Sequence, residues 1–418
     1  MNILRLTPHF YWPPKYVKKW DVGLDPIGGM QTQIYRMTLA LSKKNVNQKI
    51  LTIGMKGAQK KIKIKDNVEL CASNVPIIPI KSKVRGTVGL NFYWGLGVIL
   101  TDLKILLQSA VLKKGKWDII HSHCSGVAAP LLVGIISKWL LKKPLVYTVH
   151  CCRLCTYEPM NKLDQMINKS IIKLEEYCLK KSDHILVLTQ KTKDLLLTNY
   201  KHLNDSKISI IPDIVSFNSF CMKVNEKNKD FLYTKYKIPK DKRIISFVGR
   251  VAHEKGWSYL VQSIKLTKHQ DYHVIFAGDG NERKELEELI DKLNIKAIVT
   301  VTGFIPNELV ASVIDISEFL VVPSIHEELG SVLLEAASLK TTVIASAVGG
   351  IPQNIKDGFN GLLVPSKSPA AIAEKIDYLF DHREKAKEMG SNLYDSMKNQ
   401  YDSAFVINKL MARYKALL

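Results

Sequence analysis

Two glutamates eight positions apart, Glu327 and Glu335, are the residues of this chain best placed to do chemistry. They lie in residues 323–336, PSIHEELGSVLLEA, which predict a strand end, a tight turn at Gly330 and the start of a helix. The first N–H groups of a helix lack intrahelical acceptors and carry a partial positive charge, so they favour an anion. Carboxylates beside an anion site are useful only if the ligand also carries hydroxyl groups. A nucleotide sugar carries both, with a diphosphate for the amides and hydroxyls for the carboxylates.

Two cations follow one apolar run of the second half of the chain. Arg250 and Lys255 come after Ile244–Val248, so both leave the carboxyl end of the same predicted strand. An arginine fork binds two phosphate oxygens, and a lysine adds a point charge. A leaving nucleoside diphosphate gains negative charge as the glycosidic bond breaks, so fixed cations there would favour the transition state. The alternative is a pair of solvated surface charges.

In the first half, a pair of glycines precedes a predicted helix. Gly28 and Gly29 would let backbone N–H groups approach a phosphate closely. The dinucleotide fingerprint G-x-G-x-x-G is absent. A simple tight turn is therefore the alternative.

Histidines end two neighbouring apolar runs. His150 follows Leu145–Val149, and a residue at the carboxyl end of a strand can face a ligand. His121 and His123 fall at the end of the preceding run. We find no third ligand that would complete a metal site with them, so no metal is predicted.

Short apolar runs alternate with helical patterns along the chain. Continuous apolar strands that alternate with helices predict parallel sheets covered on both faces. The alternation is interrupted by a polar, lysine-rich stretch at residues 223–242. We therefore predict an α/β fold of two doubly wound, Rossmann-like domains, 1–222 and 223–400, that face each other across a cleft at their carboxyl strand ends. A final helix at 401–418 is expected to pack back on the first domain.

The size and charge of the chain limit its class. A length of 418 residues is too great for one ordinary core, which favours two domains. The net charge of +21 would attract nucleic acid, anionic lipid or a phosphorylated substrate, or it reflects a lysine-rich composition. No nucleic-acid-binding motif is present, so we predict no nucleic-acid partner. The amphipathic segment 97–113 could contact a membrane, but a packed helix is favoured.

Cysteine usage predicts the compartment. Seven cysteines, an odd number without the spacing of a disulfide framework, fit a reducing cytoplasm. The sequence begins directly with a predicted strand rather than with a signal peptide. We therefore expect a cytoplasmic location.

These residues resemble motifs of the family 4 retaining glycosyltransferases of GT-B fold. Glu327 to Glu335 matches their E-x7-E motif, and the likeness continues through residues 249–256, 349–352 and 357–365. With the first domain, the motifs span nearly the whole chain. The resemblance implies a UDP-sugar co-substrate, no metal or other cofactor, and retention of the anomeric configuration. Its usual mechanism is a front-face displacement, in which a leaving phosphate oxygen helps to deprotonate the acceptor.

The resemblance also implies a role for each candidate residue. Glu327 would hold hydroxyls of the donor sugar, and Glu335 would hold the ribose. Arg250 and Lys255 would neutralise the diphosphate, and His150 would lie near the reacting sugar. Further donor contacts would come from Gly28, Gly29, Leu329, Gly330 and Ser331. One departure concerns residues 211–216, IPDIVS, where the family often has Ile-Pro-Asn-Gly-Val-Asp.

A closer resemblance is to the glycosyltransferases that add N-acetylglucosamine to 2-deoxystreptamine in aminoglycoside antibiotic biosynthesis. It rests on residues 4–8, 27–31, 150–154, 157–160 and 211–213. It implies UDP-N-acetylglucosamine as the donor and a small polar aminocyclitol as the acceptor. The acceptor's ammonium groups would pair with acidic side chains, for which Asp25 and Glu158 are candidates, with Arg153 nearby. Ordinary loop carboxylates are the alternative.

Three other functions stay open. The same reaction could use a lipid-linked or cell-surface glycan as its acceptor, which the basic charge slightly favours. A sugar-nucleotide epimerase of GT-B fold is a second alternative, although the cations and the E-x7-E pair fit transfer better. A non-catalytic nucleotide-sugar-binding module is a third, disfavoured because both glutamates and both cations are intact.

Overall fold

A computed structural model of the chain describes residues 1–8, 10–12, 16, 29–53, 59, 61–73, 116–126, 128–156 and 162–418. The described residues form two compact units. The first contains the described residues up to Pro212 except Gly29, together with Ile407–Leu418, and the second contains Gly29 and Asp213–Val406. The predicted domain ranges, 1–222 and 223–400, are not tested by this division and remain predictions.

The first unit is built on an eight-stranded sheet of order β3-β4-β2-β1-β5-β6-β7-β8. All of its strand pairs are parallel except β3 with β4, which is antiparallel. The strands are β1 Asn2–Leu6, β2 Asn47–Ile53, β3 Lys61–Lys65, β4 Val68–Ser73, β5 Ile119–Ser125, β6 Leu145–Cys151, β7 His184–Val187 and β8 Ile208–Ile210. The described helices are α1 Gly29–Ser42, α2 Ala128–Leu141, α3 Arg153–Thr156, α4 Lys162–Lys181 and α5 Gln190–Asn199.

The second unit is built on a six-stranded parallel sheet of order β11-β10-β9-β12-β13-β14. Its strands are β9 Arg243–Val248, β10 Tyr272–Ala277, β11 Val299–Gly303, β12 Phe319–Val322, β13 Thr342–Ser346 and β14 Leu362–Val364. Its helices are α6 Phe217–Cys221, α7 Glu226–Tyr236, α8 Trp257–Ile264, α9 Arg283–Lys292, α10 Asn307–Asp315, α11 Ser331–Ser338, α12 Ile351–Asn354, α13 Pro369–Asp381 and α14 Arg383–Tyr401. A last helix, α15 Ser403–Lys415, begins in the second unit and ends in the first.

Burial on both sheet faces explains why the strands are continuously apolar. Every residue of β10 and β12 is buried. Alternate side chains of a strand point to opposite faces, so both faces must be covered. One layer packs Phe276 and Phe319 against α8 and α13, and the opposite layer packs Leu320 and Val343 against α11 and α14. The predicted α/β class with two parallel sheets is confirmed.

The structure differs from the prediction at two elements. The predicted linker at residues 223–242 contains helix α7, which buries Leu232 completely in the second unit. Only one residue of α7 is buried, so its sequence has the polarity of a linker. The hairpin of β3 and β4 was not predicted. Its edge strand, KIKIK, exposes Lys61 and Lys63, a composition that protects a sheet edge from further pairing.

Candidate functional site

The loops after β9 and β12 bring two of the predicted donor residues, Lys255 and Glu327, into contact. Arg250 follows the end of β9, and Lys255 closes a short 3-10 turn, His253–Lys255. The Lys255 ammonium lies 2.5 Å from Glu327 Oε2. Ser324 Oγ donates to the same oxygen over 3.3 Å. The predicted cation Lys255 and the predicted carboxylate Glu327 are thus in direct contact.

Glu254 is a component of this site that the sequence analysis missed. Its buried carboxylate forms an ion pair with Arg250. Its backbone oxygen accepts hydrogen bonds from the N–H groups of Ile325, over 2.8 Å, and His326, over 3.2 Å. Glu254 therefore orients the arginine with its side chain and holds the β12 loop with its main chain. Its position four residues after Arg250 is the signal that could have identified it.

Two glycines allow these loops to pack so closely. Gly256 has φ +62°, and a Cβ there would overlap the carbonyl oxygen of Pro323. Gly349 has φ +57°, and its Cβ would overlap the carbonyl oxygen of Glu327. Both residues have left-handed backbones, which favour glycine. The position of the Glu327 backbone therefore depends on a glycine in a different loop.

Helix α11 begins next to Glu327. Gly330 precedes it with φ +80°, and Leu329 is buried. The first N–H groups of the helix lack acceptors within it, so this end is suited to phosphate oxygens. Ser331 Oγ donates to the buried carboxylate of Asp213 over 2.9 Å. Asp213 is one of the residues at which this chain departs from the family pattern, and its carboxylate holds the first residue of α11.

Glu335 lies on α11, four residues after Ser331 and therefore about one helical turn away. It is buried, with 7% of its surface exposed. The second glutamate is thus carried by the helix whose N-terminus is the candidate phosphate site. The ribose role of Glu335 stays a prediction.

We expect Glu335→Ala to weaken donor binding rather than the chemical step. Hydrogen bonds to a charged group contribute about 1.5–3 kcal/mol, which corresponds to a rise of roughly 10- to 100-fold in the donor KM. Steady-state kinetics and titration with UDP would measure the change. Glu374→Ala, on the exposed side of α13, is the control. An unaltered donor KM would contradict a ribose contact.

In the first unit, His150 joins a buried cluster at the carboxyl end of β6. His150 Nε2 lies 2.9 Å from His123 Nδ1, and His123 Nε2 lies 2.6 Å from the guanidinium of Arg5. Burial and the nearby Arg5 charge lower the pKa of His150 to about 3. Burial, first of all, also lowers the pKa of His121 and His123 well below 6.5. Within the described ranges, no group of three or more histidine, cysteine, aspartate or glutamate residues is arranged to hold a metal ion.

The acceptor candidates are only partly described. Arg153 is buried in α3, where its Nε donates to Asn168 Oδ1 over 2.7 Å and its Nη1 to the Gly126 carbonyl over 3.3 Å. These contacts give the side chain a structural role, and an acceptor role stays a prediction. Asp25 and Glu158 lie outside the described residues, as do the donor candidate Gly28 and segment 97–113. Gly29 is the first residue of α1.

None of the helices in the described part of the chain is both long enough and apolar enough to span a bilayer. Helix α2, the most apolar of the described helices of the first unit, has 14 residues and carries Lys138. A membrane-spanning α-helix needs about 20 apolar residues.

Solved structures share this fold. Sucrose-phosphate synthase from Thermosynechococcus elongatus superposes with a TM-score of 0.81 at 20% identity, covering 100% of this chain and 99% of that one. HepE from Anabaena, in complex with UDP and glucose, superposes with a TM-score of 0.72 at 15% identity, covering 100% of both chains. The two α/β units thus have the GT-B fold of glycosyltransferases, as predicted.

Sequence relatives define the family. Residues 27–217 match Glycosyltransferase Family 4, and residues 228–396 match Glycosyl transferases group 1. A 2-deoxystreptamine N-acetyl-D-glucosaminyltransferase from Niallia circulans is 34% identical, over 84% of this chain and 87% of its own length. The protein of that name from Streptomyces fradiae is 29% identical over 100% and 94%. A 2-deoxystreptamine glucosyltransferase from Streptomyces kanamyceticus is 30% identical over 84% and 89%. The chain belongs to the group 1, family 4 glycosyltransferases.

Proposed function

We propose that this glycosyltransferase moves N-acetylglucosamine from UDP-N-acetylglucosamine to a hydroxyl group of 2-deoxystreptamine, with retention of the anomeric configuration. The observation that supports the donor assignment is a set of two ion pairs, Arg250 with Glu254 and Lys255 with Glu327, in the loops that precede α8 and α11. The acceptor half is supported by the relatives from Niallia, Streptomyces fradiae and Streptomyces kanamyceticus, all of which are named for 2-deoxystreptamine.

The second unit supplies what a diphosphate leaving group requires. About a third of the Arg250 side chain and a quarter of the Lys255 side chain are exposed, so both cations are accessible to a ligand. Each is oriented by a carboxylate, from Glu254 or Glu327. Charges that are fixed before the reaction stabilise developing negative charge without reorganisation. The N–H groups at the start of α11 add donors for phosphate oxygens.

The contacts of Glu327 favour a front-face displacement over a covalent intermediate. Its Oε2 is already within hydrogen-bonding distance of Lys255 and Ser324, which suits a carboxylate that holds a sugar hydroxyl better than a free nucleophile. In the proposed step, the bond from the anomeric carbon to the phosphate oxygen breaks and the bond to the acceptor oxygen forms on the same face. The acceptor's proton passes to an oxygen of the leaving diphosphate, which departs as UDP.

The experiment that tests this proposal is incubation of the protein with 2-deoxystreptamine and UDP-N-acetylglucosamine, with UDP-glucose in a parallel reaction. Mass spectrometry should show one added N-acetylhexosamine, and NMR of the anomeric proton should show the α configuration of the donor. A faster reaction with UDP-glucose would contradict the donor assignment. Absence of any adduct would contradict the acceptor, and an isomerised sugar nucleotide formed without acceptor would indicate an epimerase.

We expect transfer to continue in EDTA at a rate within about twofold of the untreated rate. Arg250 and Lys255 would supply the positive charge that a divalent ion otherwise provides to the diphosphate. Initial rates with and without EDTA, followed by addition of Mg²⁺, measure this directly. A strict requirement for Mg²⁺ would contradict metal-independent transfer.

The net charge of +21 favours one second candidate, transfer to a lipid-linked or cell-surface glycan. Co-sedimentation with anionic vesicles distinguishes this acceptor from free 2-deoxystreptamine. Tight, salt-sensitive binding to vesicles with phosphatidylglycerol would favour the lipid-linked acceptor. Absence of binding, together with adduct formation on free 2-deoxystreptamine, would exclude it.

A further inference from the structure

A polar cluster lies inside the first unit, on one face of its sheet. Arg5 of β1 is in register with His121 of β5, and His123 is in register with Thr148 of β6. Side chains two positions apart in a strand share a face, so His121 and His123 point to the same side of the sheet. Their rings stack with centroids 4.3 Å apart. Tyr414 of α15 covers this face and brings its hydroxyl 2.6 Å from His121 Nδ1.

Arg5 carries a buried charge whose neighbours in the described residues include no carboxylate. Its side chain has no exposed surface. Its nitrogens contact Gln48 Oε1 at 3.0 Å, His123 Nε2 at 2.6 Å, His121 Nδ1 at 3.4 Å and Met37 Sδ at 3.9 Å. The Tyr414 hydroxyl, which contacts His121 Nδ1, belongs to the same cluster. An arginine costs several kcal/mol to bury, so this placement calls for a function that a neutral side chain would not perform.

Arg5 determines which ring nitrogen carries the proton in His123 and, through it, in His150. A guanidinium can only donate, so His123 Nε2 must accept and the proton of neutral His123 lies on Nδ1. That Nδ1–H donates to His150 Nε2 over 2.9 Å. His150 Nε2 is therefore an acceptor, and neutral His150 carries its proton on Nδ1.

We propose that Arg5 and His123 are positioning residues that lock His150 in its neutral Nδ1–H form, so that His150 donates a hydrogen bond to a substrate oxygen and does not act as a base. The inference rests on the proposed function for the presence of a sugar or cyclitol at the carboxyl end of β6. The assignment of the His150 tautomer itself depends only on contacts within the first unit.

The charges around His150 support a neutral ring. Burial, and secondarily the Arg5 charge, lower its pKa to about 3, so the ring is uncharged at any pH well above that value. Among the described residues, the titratable groups that share the cluster with His150 are Arg5, His121, His123 and Tyr414. Burial raises the pKa of Tyr414 to about 12, so its hydroxyl is also neutral. The proton assignment therefore persists through the range in which free histidine titrates.

The first test reads the tautomer directly. Two-bond ¹H–¹⁵N correlation spectra of histidine-labelled protein distinguish Nδ1–H from Nε2–H rings, and a His150→Gln sample assigns the signal. We expect the Nδ1–H pattern for His150, unchanged through neutral pH. An Nε2–H pattern, or titration of His150 near the pKa of free histidine, would overturn the proposal even if the protein had no transferase activity.

The second test uses two variants that differ in one hydrogen bond. His123→Leu and His123→Asn both remove the ring nitrogen Nε2 that accepts from Arg5. Only the asparagine, whose amide nitrogen occupies roughly the place of Nδ1, can still donate to His150. We expect His123→Leu to lower kcat/KM by about tenfold and His123→Asn by less than about threefold. Only His123→Leu should lose the Nδ1–H pattern, and UDP binding should be unchanged in both.

A double-variant comparison separates positioning from a merely structural role. If His123 acts through His150, the His123→Leu loss should disappear in a His150→Ala background, because the two changes remove the same interaction. Equal losses in both backgrounds, or equal activities of the leucine and asparagine variants, would contradict the lock. Failure of the proposed function would instead appear as absent transfer with an intact Nδ1–H signal.

Discussion

Replacing Arg250 by alanine should lower turnover by about two to three orders of magnitude, as removal of a fixed transition-state charge partner does. Its guanidinium follows the carboxyl end of β9 and is oriented by Glu254. Because the diphosphate becomes more negative as the glycosidic bond breaks, the loss should fall mainly on kcat. Steady-state kinetics at saturating donor would measure it. Turnover within about threefold of the parent would remove Arg250 from the reacting centre.

Two controls isolate the charge effect of Arg250. Arg383 also pairs with a glutamate, Glu318, but at the amino end of β12, so Arg383→Ala should retain activity. The double variant Arg250→Ala, Glu254→Gln also removes the charge of the buried carboxylate that pairs with Arg250. If loss of the ion pair with Glu254 causes the fall in turnover, the double variant should recover it. We expect no recovery, because the missing interaction is with the leaving diphosphate.

Much of the second unit could be predicted from sequence, since its strands are buried on both faces and therefore read as apolar runs. The predicted run Ile244–Val248, for example, coincides with strand β9, Arg243–Val248. The rule that ligands lie at carboxyl strand ends predicts Lys255 and Glu327 at one edge of the sheet, and the two side chains are in contact. The β3–β4 hairpin escaped prediction because its edge strand alternates lysine and isoleucine rather than forming a continuous apolar run.

What could not be predicted depends on contacts between distant segments. Glu254 and Asp213 appear as ordinary loop acids until the backbone bond to Ile325 and the contact with Ser331 are known. In the sequence, Arg5 is a charged residue within a largely apolar strand. Its proposed role depends on contacts in a cluster with His123, 118 positions away, and with Tyr414 of α15, a helix that comes after the strands of both sheets in the chain. Strand register and tertiary packing, rather than local sequence patterns, therefore bring together the residues of the second-unit site and of the Arg5 cluster.

The second large effect should come from Gly349→Ala, a change at a residue that donates no side chain to the site. The alanine would have to adopt φ near +57°, which costs about 1–2 kcal/mol, and its Cβ would overlap the carbonyl oxygen of Glu327. The loop must then move, and a displacement of roughly 1 Å at a catalytic group can lower activity by about 100-fold. We therefore expect a fall of that size in kcat/KM, with modest loss of thermal stability.

Gly358→Ala is the matched control for this effect. Gly358 also has a left-handed backbone, φ +73°, but nothing lies within 4 Å of the position that its Cβ would occupy. The variant should therefore lose about 1–2 kcal/mol in free energy of unfolding, seen as a lower melting temperature. Its activity should equal that of the parent. Equal activity losses in the two variants would mean that backbone strain alone disturbs the enzyme. A loss confined to Gly349→Ala would show that Glu327 must be held within about 1 Å of its position, because only that substitution displaces its carbonyl group.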